Sequence, residues 1–187
     1  MKGSIAKAQE LQAATPNSWI PNQFDNPSNV NIHYKTTGPE IWKDTNGAVD
    51  ILVGGVGTGG TVSGAGHYLK EQKSSVKVIA VEPSASPVLS GGKAGPHKIQ
   101  GIGPGFEAGN VKREYIDEIV TVSDDDALNI GREIAHSEGV FLGISGGAAI
   151  AAAINVAKRP ENAGKNIVVV IPDSGDRYLS TALYKQD

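Results

Sequence analysis

The chain contains no cysteine, and no apolar run in its 187 residues approaches the length of a membrane span. Without cysteine there is neither a disulfide framework nor a thiolate metal site, and no metal centre is expected. A membrane-crossing helix needs about 20 consecutive apolar residues, which no stretch supplies. The opening Met1-Lys2-Gly3-Ser4 leads straight into a polar helical pattern, without the order of a secretory leader. A cytoplasmic location is the expectation. Charge is balanced, 17 basic against 20 acidic residues for a net charge of −3, with no block of one sign. That argues against nucleic acid or an anionic membrane surface as the main partner. No internal repeat is evident. What the chain has in plenty is glycine, 24 residues gathered into a few turns. Clustering of this kind points to ligand loops more than to disorder.

The densest cluster is Gly54-Gly55-Val56-Gly57-Thr58-Gly59-Gly60-Thr61. It follows the apolar run Val49 to Val53, which predicts a buried strand, and precedes Val62 to Gln72, which predicts a helix. In a strand–turn–helix of this kind, backbone N–H groups converge on one spot. Glycine lets a ligand approach them closely, and the helix N-terminus favours an anion such as phosphate. Thr58 and Thr61 add hydroxyl donors that a plain connection does not need.

Elsewhere the pattern predicts a helix over Lys2 to Ala14, with Ile5, Ala8 and Leu11 on one stripe, and a short strand or extended segment over Ser18 to Phe24. Asp25 to Asn31 reads as a hinge, and Thr37-Gly38-Pro39-Glu40 opens a short helix. Further strands are expected at Val76–Glu82, Glu118–Val122 and Asn166–Pro172. Helices are expected from Ser123, an N-cap followed by three aspartates, to Glu138, over Ala148–Ala157, and from Asp176 through Leu183. Strands alternating with helices imply an α/β fold: an open, twisted, mostly parallel sheet with helices on both faces and the phosphate loop after a central strand.

Two ligands fit the glycine loop. Gly55, Gly57 and Gly60 satisfy G-x-G-x-x-G, and Glu82 at the end of the next strand stands where an acid could bind a ribose; that combination describes a nicotinamide-dinucleotide oxidoreductase. The second ligand is a phosphorylated cofactor without a ribose. Gly57–Thr61, His97-Lys98-Ile99-Gln100-Gly101-Ile102-Gly103, Gly143 to Ala149, and Pro172-Asp173-Ser174-Gly175-Asp176-Arg177-Tyr178 through Thr181 follow one another in that order. In this the chain resembles the O-acetylserine sulfhydrylases (cysteine synthases), within the tryptophan-synthase-β-like family of pyridoxal phosphate enzymes. The resemblance runs from Met1 through Thr181. The His97–Gly103 run is closer to cysteine synthase than to cystathionine β-synthase, the alternative within the family.

The resemblance implies pyridoxal phosphate as cofactor, with Gly57, Thr58, Gly59, Gly60 and Thr61 around its phosphate. It implies that Ser145 hydrogen-bonds the pyridine nitrogen; a hydroxyl there leaves that nitrogen mostly unprotonated, which suits loss of a good leaving group. Gln23 and Phe24 match a segment near the substrate carboxylate, and Gly101 and Gly103 match the loop at the site mouth. The implied reaction replaces the acetate of O-acetylserine with sulfide to give cysteine. A homodimer and the C-terminal tail of serine acetyltransferase are the implied partners. Local chemistry offers plainer roles: a helix cap for Ser145, core packing for Phe24, a polar strand end for Glu82, a surface pair for Asp176 and Arg177, a solvated loop position for His97. The family's cofactor lysine has no matching context here, so no catalytic residue is assigned. Nor is there a match for its Thr-Ser-Gly-Asn loop. Gly146 and Asp176 depart from residues common in the family. The expectation is an incomplete enzyme, with residues 1–26 ending a small N-terminal domain and residues 27–187 forming a large cofactor domain; a non-catalytic cofactor- or partner-binding piece is the remaining alternative.

Overall fold

The computed structural model describes residues 1–185, so Gln186 and Asp187, the end of the expected large domain, lie outside it. Its helices are α1 (Lys2–Ala14), α2 (Ser28–Lys35), α3 (Thr37–Asp44), α4 (Gly60–Gln72), α5 (Asp124–Ser137) and α6 (Ile144–Ala157). The strands are β1 (Val49–Gly55), β2 (Lys77–Pro83), β3 (Glu118–Val122) and β4 (Asn166–Val169), in the spatial order β3-β2-β1-β4. All three pairings are parallel. The expected α/β architecture is therefore present.

The two inner strands are apolar on both faces because both are covered. Ile51, Val53, Ile79 and Val81 pack with α5 and α6 through Ala127, Leu128, Ala148 and Ala152. Leu52, Val78 and Ala80 face the opposite way, against Val62, Ala65 and Leu69 of α4. Val49 shares the α4 side with Leu52, three residues on, because the register shifts between Val49 and Ile51. Asp50 lies inside that irregularity and accepts hydrogen bonds from Lys73 Nζ (2.7 Å) and Asn166 N–H (2.9 Å), which hold its carboxyl below the ordinary range. Ser123 caps α5 as its residue type predicts, accepting from the Asp126 N–H.

Three expectations give way to the structure. Asp25–Asn31 is not a hinge: Asn26 Oδ1 accepts the Ser28 N–H (3.0 Å), and α2 begins there. Ser18–Phe24 forms no strand, because Asn17 and Asn22 take the left-handed conformation (φ 58° and 48°) and break the extended path. The helix expected from Asp176 through Leu183 is a 3-10 turn, Gly175–Tyr178, followed by irregular chain. Arg132 Nη1 donates to the Ala182 carbonyl (2.8 Å) and Tyr184 Oη to that of Leu142 (2.8 Å), so tertiary ties take the place of helical ones.

Candidate functional site

The strand order fixes where a ligand can sit. From β1 the chain moves to β2 and β3 on one side and returns to β4 on the other. The carboxyl end of β1 is thus the point where the order reverses, and a crevice opens there. Gly54 and Gly55 end β1, and Val170, Pro172 and Asp173 follow β4; all five line a cleft of about 510 Å³. Clefts of that size hold small organic molecules and cofactors. Gln23, Gly57, Thr58, Gly59, Thr61, Gln100, Gly101, Ile102, Ser145, Arg177 and Tyr178 complete its lining. The motifs seen separately in sequence meet at one place.

The glycine loop forms one wall of the cleft. Gly59 is the N-cap of α4 at φ +83°, a conformation that costs a side-chain-bearing residue roughly 1 kcal/mol or more, and it has no side chain to cap the helix. The Gly60 N–H is taken by Thr58 Oγ1 (3.3 Å), which leaves the next N–H groups of α4, those of Thr61 and Val62, open to a ligand. Gly57 has a different reason to be glycine. A Cβ there would stand 2.5 Å from the Gly101 carbonyl oxygen, so the phosphate loop and the Gln100–Ile102 loop touch backbone to backbone.

Behind the two threonines stands a layer that sequence reasoning missed. Asn29 of α2 donates from Nδ2 to Thr58 Oγ1 (3.0 Å) and to the Gln23 carbonyl (2.8 Å). His33, one turn on, has Nε2 at 3.2 Å from Thr61 Oγ1 and Nδ1 at 2.8 Å from Thr37 Oγ1. Burial lowers the His33 pKa from its ordinary value, favouring the neutral ring. A signal for this layer does lie in the sequence. Gly60 and Gly64 are four apart on α4, and a Cβ on either would collide with α2, at Asn29 Oδ1 (1.9 Å) and at the Val30 carbonyl (2.2 Å). Glycines at that spacing mark a close helix approach.

Ser145 stands at the second position of α6, almost fully buried. The N-cap is Gly143, without a side-chain cap bond, so Ser145 does not have the capping role. Its Oγ faces the Gly101 loop, 3.5 Å from where a Cβ on Gly101 would be. Nearby, Tyr178 Oη donates to Asp173 Oδ2, while Asp173 Oδ1 is buried with no partner among the described residues. Burial first, then the bond to Asp173, pushes the Tyr178 pKa up to about 12. Asp176 and Arg177 do not form a surface pair: Asp176 accepts from Ser174 Oγ, and Arg177 lines the cleft.

The remaining expected residues separate. Gln23 lines the cleft and also a neighbouring groove against α1. Phe24 lines that groove but not the cleft, and packs edge-on against Phe106 at 5.0 Å. Gly101 is at the cleft, whereas Gly103 lies behind it, its carbonyl 2.9 Å from His97 Nε2. His97 is thus a brace of that loop and not a solvated position. Glu82 is neither a polar strand end nor available to a ribose. It is 2% exposed, and its carboxylate accepts from Leu89 N–H, Ser90 N–H and Ser90 Oγ. No lysine is among the described residues lining the cleft.

The model of the family described as "Pyridoxal-phosphate dependent enzyme" matches residues 1–173. Cysteine synthase A of Salmonella typhi is 48% identical over 193 residues, covering 98% of this chain and 60% of that protein. Cysteine synthase of Haemophilus influenzae is 50% identical over 193 residues, covering 99% of this chain and 61% of its own length. The crystal structure of O-acetyl serine sulfhydrylase isoform 3 from Entamoeba histolytica superposes with a TM-score of 0.95 at 50% identity, over 100% of this chain and 56% of that one. The chain therefore spans about three fifths of the length of the curated relatives it matches. Pyridoxal phosphate also fits the cleft on its own terms: an open helix N-terminus and threonine hydroxyls for a phosphate, and a buried hydroxyl, Ser145, for a ring nitrogen. With the family model running over every cleft-lining residue as far as Asp173, the chain belongs to the family of pyridoxal-phosphate dependent enzymes.

Proposed function

We propose that this chain carries the cofactor-binding part of a cysteine synthase, an enzyme that makes cysteine and acetate from O-acetylserine and sulfide. The observation that carries the reading is the convergence of Gly57, Thr58, Gly59, Thr61 and Ser145 on one cleft at the carboxyl end of β1, with Gly60 of the same loop turned to α2. Pyridoxal phosphate, when bound, supplies the electron sink that such a β-replacement needs. The residues of this chain hold and orient it. The α4 N-terminus and the hydroxyls of Thr58 and Thr61 bind the phosphate through charge-assisted hydrogen bonds. Ser145 Oγ sets the ring by its hydrogen bond to the nitrogen. Gln23 and Gly101 border the space left for the amino-acid substrate; Phe24 and Gly103 shape that border from behind. Residues 1–26 belong, on this reading, to the smaller domain, and residues 27–187 to the larger. The same reading carries a cytoplasmic location, a homodimer, and serine acetyltransferase's C-terminal tail as partner.

No lysine borders the cleft among the described residues, so the chain by itself is proposed to bind the cofactor without turning over. A lysine positioned to take the substrate's α-proton is worth about 10²–10⁴ in rate. The test is a titration of the purified chain with pyridoxal phosphate and with NAD, followed by an assay for cysteine. Binding of pyridoxal phosphate in preference to NAD, with essentially no cysteine formed, is expected. Tighter NAD binding overturns the cofactor reading, and turnover by the chain alone overturns the assignment of the missing lysine. Ser145→Ala should change the bound cofactor's absorbance more than its affinity; an unaltered spectrum would remove Ser145 from the site.

A further inference from the structure

Thr58 is more than one of two hydroxyls at the loop, because its surroundings fix the direction of its proton. A threonine hydroxyl has one hydrogen to donate and two lone pairs to accept with. Thr58 Oγ1 receives the Asn29 Nδ2–H at 3.0 Å and the Gly60 N–H at 3.3 Å. Both lone pairs are thereby engaged, and neither bond uses the hydroxyl hydrogen. That hydrogen is left to point into the cleft that Thr58 lines.

The identity of the Asn29 donor is itself settled by geometry. The same Asn29 atom lies 2.8 Å from the Gln23 carbonyl oxygen, which can only accept, so it is the amide nitrogen and not the oxygen. The Gln23 carbonyl is held in turn by Asn110 Nδ2 at 3.0 Å. On the other side, Asn29 Oδ1 occupies the space that a Cβ on Gly60 would take. Asn29 is therefore fixed in both position and polarity by Gln23 and by the bare backbone of Gly60.

We infer that Asn29 is a positioning residue of the anion site: it holds Thr58 as a dedicated hydrogen-bond donor to the phosphate of the cofactor. The inference rests on the pyridoxal phosphate reading above. It assigns α2, which lies outside every motif of the sequence, a share in ligand recognition. A hydroxyl free to rotate can meet an anion with either its hydrogen or its lone pairs. One whose lone pairs are already taken meets it only with the hydrogen, so the cost of ordering it is met in the folded chain before the ligand arrives.

The test uses the full chain and two ligands, pyridoxal phosphate and pyridoxal, which differ only in the phosphate. Affinities are measured by absorbance titration for wild type, Asn29→Ala, Thr58→Val and the double variant. Asn29→Ala is expected to weaken pyridoxal phosphate about tenfold, the loss of one well-made hydrogen bond to a charged acceptor, and to leave pyridoxal unmoved. Added to Thr58→Val, it should cost nothing further, because the hydroxyl it acts through is gone. Should the alanine variant not fold, Asn29→Asp keeps the volume and replaces the donor with an acceptor; it should again weaken only pyridoxal phosphate. Equal weakening of both ligands, or a full additional loss in the Thr58→Val background, overturns the inference and leaves Asn29 a structural residue. If the wild-type chain itself holds pyridoxal as tightly as pyridoxal phosphate, the phosphate reading falls and the inference falls with it. If wild type discriminates and Asn29→Ala discriminates equally well, the inference alone falls.

Discussion

Replacing Glu82 by glutamine should loosen the irregular chain around Leu89 and Ser90, which lies outside the lining of the cleft. Among the described residues Glu82 is the one acidic side chain that is fully buried, and after β2 no regular structure follows until the 3-10 turn at Arg113. Its Oε2 accepts the Leu89 N–H at 2.8 Å, and its Oε1 accepts the Ser90 N–H at 2.8 Å and Ser90 Oγ at 2.6 Å. Arg113 Nη2 then donates to the Leu89 carbonyl (2.9 Å) while the same guanidinium is paired with Glu107. Glutamine has the same shape but one oxygen becomes an NH2 group, which must face the N–H of Leu89 or of Ser90. One hydrogen bond to a charged acceptor is lost, about 1.5–3 kcal/mol, and a buried donor is left unpaired, about 1–3 kcal/mol. Removing a buried charge offsets part of this. The net loss should be about 2 kcal/mol, or roughly 4–8 °C in Tm for a chain of this size. Urea titration gives the stability change, and hydrogen exchange should show Leu89 and Ser90 amides losing protection before the strands do. A loss under about 0.5 kcal/mol, the range of ordinary surface changes, with both amides still protected, would refute the reasoning. If Glu82 instead served a ribose, the variant would keep its stability and lose only nucleotide binding.

Gly57→Ala puts a methyl 2.5 Å from the Gly101 carbonyl. Neither backbone can yield cheaply, so about 1–3 kcal/mol of stability should be lost; titration should also show weaker pyridoxal phosphate binding, and an unchanged Tm would mean that the two loops are not in contact. His33 supplies a pH dependence. Burial disfavours its charged form, so its folded pKa lies below the unfolded value of 6.5, and below that pH the unfolded chain binds more protons. The contribution is whole above pH 6.5 and is lost as pH falls through the folded pKa. Denaturation midpoints measured from pH 7.5 downward should fall less steeply for His33→Gln than for wild type; identical slopes would show that the ring is not desolvated.

The fold was legible where burial on two faces writes itself into composition. β1 and β2 are runs of Val, Ile, Leu and Ala because α4 lies on one side and α5 and α6 on the other. The start of α5 was legible because Ser123 and the aspartates behind it carry their own local physics. What escaped were features set by tertiary contact. The Asn-rich segment before α2 has the composition of a loop. It becomes a helix start only because Gly60 and Gly64 let α2 lie down on α4. Glu82 could not be told from a strand-end acid, since the amides that need it are seven and eight residues away in a segment without periodicity. Ser145 shows the opposite case. Its residue type fits a helix cap, and only the position of Gly143 as N-cap frees it for the cleft.

The two ends of the cleft are built by one device used twice. At β1 the strand passes through glycines into the N-terminus of α4, whose N-cap, Gly59, has no side chain to cap it. Across the cleft, Gly143 stands before the N-terminus of α6, again with no side-chain cap. An uncapped helix start leaves N–H groups in need of acceptors, and burying it without one would be costly. At α4 the cleft-lining Thr58 and Thr61 are backed by α2. At α6 the buried Ser145 lines the same cleft as Asp173, whose Oδ1 lacks a partner among the described residues. A Cβ on Gly143 would lie 2.1 Å from that same oxygen, so the carboxylate rests against the open helix start and meets the positive end of its dipole. The α6 start thus has an acidic side chain against it, whereas among the described residues lining the cleft none of the glycine loop is acidic. On the function proposed above, an anion entering the cleft would be directed to the glycine loop, and a neutral ring nitrogen left to Ser145.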